Sequence, residues 1–140
     1  MIVDVNVLVA YAAADHAHHQ RASRWLDGAL NGESRVGLPW HSLLGFVRIA
    51  THPRISTSPL RPAEAMDYVD AWLSAPAAWV PVPGARHAAI LRRLLDGTGT
   101  GGPLVPDAHL AALAIENYVP VVSFDSDFET LGVNRIEPPA

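Results

Sequence analysis

Met1–Ala10 reads MIVDVNVLVA, and the reading of this stretch decides the fold. Ile2 and Val3 are β-branched and apolar, and Asp4 follows them at once. Such a run suits a short strand buried on both faces, whose carboxyl end delivers Asp4 to the rim of a sheet. A buried carboxylate without a partner is costly, so the chain must supply Asp4 with a cation, hydrogen-bond donors or water. In open α/β sheets ligands lie in the crevice beyond the strand ends. A plainer reading makes Asp4 only the N-cap of the helix that follows.

Beyond this stretch, Asn6–Ala14 is expected to be a first short helix, capped by Asp4 or Asn6. His16, His18 and His19 sit in a polar break (DHAHH) with no fourth ligand at a standard spacing, so a surface role is expected for them. His18–Asn31 has helical periodicity, with Ala22, Trp25, Leu26, Ala29 and Leu30 on one face and Gly32 closing the helix in the left-handed conformation. Arg35–Pro39 is a strand candidate. Trp40–Thr51 is the next helix, followed by a long Pro- and Ser-rich loop over Thr51–Pro62. Ala63–Ser74 is helical after Pro62. Trp79–Pro83 alternates as a strand, and its prolines confine it to a sheet edge. Arg86–Asp96 is helical, and Gly97–Gly102 is a turn that lacks the GK[ST] of a phosphate-binding loop.

Leu104–Asn117 (LVPDAHLAALAIEN) is the second informative stretch. Leu110, Ala111 and Ala114 follow Asp107 at three, four and seven residues, so Asp107 shares the core-facing stripe at the N-terminal end of a helix. Pro120–Phe124 is a buried-strand candidate, with Asp125, Ser126 and Asp127 directly after it. Val133–Glu137 adds a last short strand. Strands and helices alternate, which predicts an α/β fold: a three-layer α/β/α sandwich around a mainly parallel sheet of four to five strands.

Bulk properties agree. The 140 residues suit a single domain spanning 1–140. There is no Cys, which excludes disulfides and thiolate metal sites. The start has no basic region or cleavage site, and no apolar run is long enough to span a membrane, so a soluble, cytoplasmic protein is expected. The net charge is −4, and all ten basic residues are Arg. An acidic balance argues against a general DNA-coating protein, but a nucleic-acid enzyme with an acidic metal site remains compatible with it.

In a parallel sheet, strand carboxyl ends and the N-termini of following helices share one edge. Asp4, Asp107, Asp125 and Asp127 are thereby expected to converge there. Two carboxylates about 4 Å apart repel by roughly 4 kcal/mol at an effective dielectric near 20, so such a cluster needs a cation or a retained proton. Hard oxygen ligands without Cys suit Mg²⁺, with Mn²⁺ as the alternative. Such an ion activates water and stabilises phosphoryl-transfer charge, and phosphodiester hydrolysis is the natural chemistry. Taken singly, each acid has a plainer role: a first-turn charge on a helix dipole for Asp107, and Asx turns for Asp125 and Asp127.

Three blocks, MIVDVNVLVAY, LLGFVRIATHPRI and VPDAHLAALAIENYVPVVSFDSDF, come in an order that resembles the PIN-domain ribonucleases, and more narrowly the VapC-type toxins of type II toxin–antitoxin pairs. The resemblance covers essentially the full length. It implies Mg²⁺-dependent endonucleolytic cleavage of RNA, neutralisation by a small cognate antitoxin protein, and a homodimer. Carried over by position, Asp4 and Asp107 are the primary metal ligands, Asp125 and Asp127 complete the cluster, and Asp4, Asp107 and Asp125 are catalytic. Asn6 and Ser123 support them from behind. Arg48, Arg54 and Arg86 are candidate RNA phosphate contacts.

One departure is evident. The resemblance implies a Glu on the Trp40–Thr51 helix, yet that helix has no acid, and Gly45 stands near the expected place. An alternative is therefore a PIN-like module that binds RNA or antitoxin with weak or no cleavage. A phosphatase of the haloacid-dehalogenase type, suggested by Asp4-Val5-Asn6, is disfavoured because the chain has no Lys. Trp40 is read as a core or interface residue before a base-stacking one, and His109 as a packing residue.

Overall fold

The computed structural model describes residues 1–99 and 101–140. Five two-residue strands form one parallel sheet in the order β3-β2-β1-β4-β5: β1 Ile2–Val3, β2 Val36–Gly37, β3 Ala78–Trp79, β4 Val121–Val122 and β5 Arg135–Ile136. Among the described residues seven α-helices surround it: α1 Val5–Ala12, α2 His19–Leu30, α3 Trp40–Ala50, α4 Pro62–Leu73, α5 His87–Thr98, α6 Val105–Glu116 and α7 Asp127–Thr130. A 3-10 turn at Gly102–Leu104 leads into α6.

Alternation along the central strands builds two cores, because successive strand residues face opposite sides of a sheet. Val3 and Val122 join Val7, Leu8, Leu26, Leu43, Phe46, Val69 and Trp72, from α1–α4, on one face. Ile2 and Val121 join Leu110, Leu113, Phe128 and Leu131 on the other, with Leu91, Leu94 and Leu95 of α5 against them. The layers are thus α1–α4, the sheet, and α5–α7. The chain builds outward from β1 to β2 and β3, then crosses to lay β4 on the other side of β1. The crevice between the carboxyl ends of β1 and β4 is the switch point where open α/β sheets bind ligands.

The α/β architecture, the parallel sheet and the edge position of the Trp79 strand match the sequence reading. Several details differ. Helix α1 starts at Val5, with Asp4 as its cap, so Asn6 lies inside the helix. Gly32 is not left-handed: α2 closes at Leu30 with Asn31 as C-cap. Helix α5 runs on to Thr98 and ends on Gly99 at φ +67°. Of the turn read over Gly97–Gly102, Thr100 lies outside the described residues. The short α7 and the 3-10 turn were not legible, since three or four residues carry no periodicity. Among the described residues no helix is long and apolar enough to cross a membrane.

Candidate metal centre

Asp4 leaves β1 with its backbone N–H donating to Val122 O at 3.0 Å, so β4 fixes its height at the rim. Its Oδ1 accepts from Val5 N at 2.7 Å and caps α1. Its Oδ2 accepts from Ser123 Oγ at 2.6 Å. Both readings of Asp4 therefore hold at once: it is a helix cap and a buried rim carboxylate, 6% exposed. Burial raises its pKa, Ser123 and Val5 hold it back, the charge of Asp125 adds to the rise and His41 opposes it.

Ser123 is the knot of the site. Its single proton goes to Asp4, and its oxygen accepts from Asn6 Nδ2 at 3.0 Å and from Asp125 N at 2.9 Å, which uses the hydroxyl's full donor and acceptor capacity. Asn6 Oδ1 in turn accepts from Phe124 N at 3.2 Å. Asp125 Oδ1 accepts from Asp127 N at 2.9 Å, an Asx turn that leads into α7. The residues after β4 are thereby tied to α1 by side chains 117 to 119 positions away.

Asp107 comes from the opposite layer, in the first turn of α6. One carboxylate oxygen each from Asp107, Asp125 and Asp127 lie within 4.8 Å of one another. Like charges at that spacing repel by about 3 kcal/mol per pair at an effective dielectric near 20, less for the solvent-screened Asp127. Asp107 carries the result: burial, then the charges of Asp4, Asp125 and Asp127, push its pKa up to about 6. Asp4 stands beside this trio rather than within it, near enough for its charge to reach Asp107 and Asp125.

The donor set consists of carboxylate oxygens only. Such a set fits a hard divalent cation such as Mg²⁺ or Mn²⁺ and offers nothing to a soft one. The groove in front of it encloses about 600 Å³ and is lined by Asp4, Asn6, His41, Arg48 and Asp107, among others.

Gly45 also lines this groove, and its lack of a side chain has a packing cause. A Cβ there would meet Val5 Cγ2 at 2.7 Å, where α1 and α3 cross closely. Valine is stiff about χ1, so it gives way only at a cost. An acid at position 45 is therefore excluded by Val5 as this pair of helices is packed.

Arg48 reaches the groove, as the sequence suggests. Arg54 is exposed on the loop, and its backbone N–H donates to His52. Arg86 lies at the far end of α6, where it donates to Glu116 O at 2.8 Å and covers the Tyr118 ring, so it is not beside the acids. Trp40 is 45% exposed and not in the core. His16, read from sequence as a surface residue, and His41 also line this groove. Nothing in their spacing marks them; only the topology brings them to the acids. His109 packs as expected, with Nδ1 3.1 Å from His87 Nε2.

Comparison with known proteins agrees with this geometry. The family model described as PIN domain matches residues 1–134. Ribonuclease VapC37 of Mycobacterium tuberculosis is 49% identical over 140 residues, covering 99% of this chain and 97% of that protein. Ribonuclease VapC33 of the same species is 40% identical over 128 residues, covering 91% and 90%. Among solved structures, M. tuberculosis VapC20, described as a sarcin-ricin loop cleaving toxin, superposes with a TM-score of 0.72 at 19% identity, covering 98% of each chain. VapBC2 from Rickettsia felis, bound to a DNA fragment from its promoter, gives 0.67 at 15% identity, covering 97% and 96%. The rim carboxylates at the β1–β4 switch point thus sit in a chain that belongs to the PIN-domain family, among relatives named VapC ribonucleases.

Proposed function

We propose that residues 1–140 act as one unit, a metal-dependent endoribonuclease that serves as the toxin of a toxin–antitoxin pair and hydrolyses RNA phosphodiester bonds. The observation that carries this reading is the convergence of Asp107, Asp125 and Asp127 within 4.8 Å, with Asp4 beside them. In the proposal Asp107, Asp125 and Asp127 hold Mg²⁺ or Mn²⁺. Asp4 completes the set with the lone pairs that its hydrogen bonds to Ser123 and Val5 leave over. An ion held there would supply Lewis acidity and lower the pKa of a bound water.

The chain's own residues do the rest. Ser123 and Asn6 fix the residues after β4 against α1, so that Asp125 keeps its place while substrate comes and goes. Arg48 holds a flanking phosphate at the groove wall, and Arg54 meets the strand further out on the loop. Asp107 retains a proton below about pH 6, so the set bears its full charge only above that point. Arg86 is committed to Glu116 and Tyr118, and is no longer favoured as an RNA contact.

The relatives' names support an antitoxin partner, and the exposed Trp40 and Leu44, one turn apart on α3, provide an apolar surface for it or for a second copy in a homodimer. The proposal includes a cytoplasmic place of action. A second reading, a binding module with little cleavage, is favoured by one observation, the missing acid at Gly45. Incubation of structured RNA with the purified chain separates the two. The first reading expects cleavage in Mg²⁺, none in EDTA and none for Asp107→Asn. Intact RNA that stays bound in all three conditions rejects it in favour of the second.

A further inference from the structure

A second groove adjoins the acidic one. It holds about 370 Å³ between α1, α3 and the loop that precedes α4. Val9, His16 and Ile49 line both grooves, so the two lie side by side. The walls of the second groove are apolar, with Ile49 on α3, Leu60, and Ile55, which is 54% exposed. Its rim is polar. Thr57 Oγ1 donates to Asp15 Oδ2 at 2.7 Å, which fixes the carboxylate in place and leaves lone pairs on it to accept further bonds. The bond from Thr57, then the backbone N–H of Asp15 itself, hold this carboxyl below the usual range, so it is ionised at neutral pH.

We propose, resting on the ribonuclease reading, that this groove is a base-binding subsite: it takes one nucleobase next to the phosphate held at the acids, and it favours a base that offers N–H donors to Asp15, guanine foremost. A nucleobase is flat and apolar on its faces and polar along its edge, which matches apolar walls under a polar rim. Carboxylates accept from amino and imino N–H groups and reject carbonyl edges. Guanine presents two such donors side by side, whereas uracil presents one between two carbonyls. A peptide segment is the weaker fit. The walls come from two helices and a loop, and offer no strand edge on which an extended peptide could pair.

The test uses the full chain and a pool of randomised RNA oligonucleotides. Wild type, Asp15→Asn and Ile55→Ala cut the pool in Mg²⁺, and the ends are sequenced; binding of the same pool is scored with Ca²⁺ in place of Mg²⁺. Both residues are exposed, so unchanged melting temperatures are expected to show that the variants fold. The proposal expects guanine to be enriched at least about fivefold at one position near the cut, as fits a good carboxylate–base contact. It expects Asp15→Asn to flatten that position alone, and Ile55→Ala to weaken binding of the pool.

A base profile that is the same in wild type and Asp15→Asn overturns the subsite while leaving the nuclease reading intact. Selective binding that Asp15→Asn abolishes, with no cutting by wild type, upholds the subsite and removes the nuclease reading. Binding of the pool that Ile55→Ala leaves unchanged, with base preference unaltered, shows that no base lies against this wall and overturns the proposal.

Discussion

Asp107 is the residue whose energetics are most exposed to experiment. Its pKa rises from 3.8 to about 6 on folding. Below about pH 4 it is protonated in both states and contributes nothing. As pH climbs from there to about 6 the unfolded chain releases the proton and the folded one keeps it, so stability falls, and the penalty is complete above about 6. Asp107→Asn removes that penalty. It is predicted to raise the melting temperature by about 2–5 °C near pH 7.5, a gain of about 1 kcal/mol for a chain this size. The gain is predicted to vanish near pH 4, and thermal melts at the two pH values read the difference. Gly45 behaves oppositely. Gly45→Ala gains about 1 kcal/mol of helix propensity but drives a methyl into Val5, and overpacking of this kind costs about 1–3 kcal/mol. A net loss of stability is predicted, which Val5→Ala in the same chain restores. Urea titration of the single and double variants checks it. The vacancy at position 45 was legible as an absence. Its cause was not, because Val5 lies forty positions away and only the crossing of α1 and α3 brings the two together.

At the scale of the elements, one hydroxyl joins Asp4, Asn6 and Asp125, beside the β1–β4 pairing and the Phe124 N–H bond to Asn6. Ser123→Ala leaves Asp4 Oδ2 buried without its donor and frees Asn6 Nδ2 and the Asp125 backbone N–H. Loss of a buried partner of a charged group costs about 1–3 kcal/mol. Because Asp125 loses its anchor as well, cleavage is predicted to fall further than stability alone explains. Comparison of kcat at a temperature where the variant is fully folded separates the two effects. The elements themselves were largely readable. Helices α2, α3, α4 and α6 announce themselves by periodicity or by a Pro in the first turn. The strands were read longer than they are. Apolar runs such as Pro120–Phe124 mark burial, whereas the paired segment is only Val121–Val122, with single backbone bonds at Pro120 O and Ser123 N on either side of it. Gly32 was misread because a glycine after a helix suggests a left-handed cap, whereas here Asn31 closes α2 and Gly32 N donates to Ala29 O.

Across the whole molecule, two cores on opposite faces of a two-residue-deep sheet hold carboxylates from both layers at one rim. Helix α6 packs in the second core and carries Asp107, while Asp4 is shared by β1 and α1. The approach of Asp107, Asp125 and Asp127, with Asp4 beside them, was inferable from strand–helix alternation. Groove neighbours such as His16 and His41 were not, because a loop residue and a helix residue carry no pattern that tells which rim they reach. Arg86 shows the converse limit: a cation at the start of a helix reads as a phosphate contact until its helix is seen to start at the wrong end of the molecule. If the rim binds an ion only when folded, Mg²⁺ stabilises the whole molecule by mass action, by about 2.7 kcal/mol at a hundredfold excess over Kd. Melts with Mg²⁺ against EDTA are predicted to show this shift in wild type and to show little of it in Asp107→Asn.

The most direct test is a calorimetric titration of Mn²⁺ into the wild-type chain and into Asp4→Asn, Asp107→Asn and Asp125→Asn at a pH above 7. Binding that weakens at least about tenfold in each variant, or about 1.4 kcal/mol, is the predicted result. Affinity that is unchanged by all three substitutions would contradict the claim that these carboxylates form one divalent-cation site.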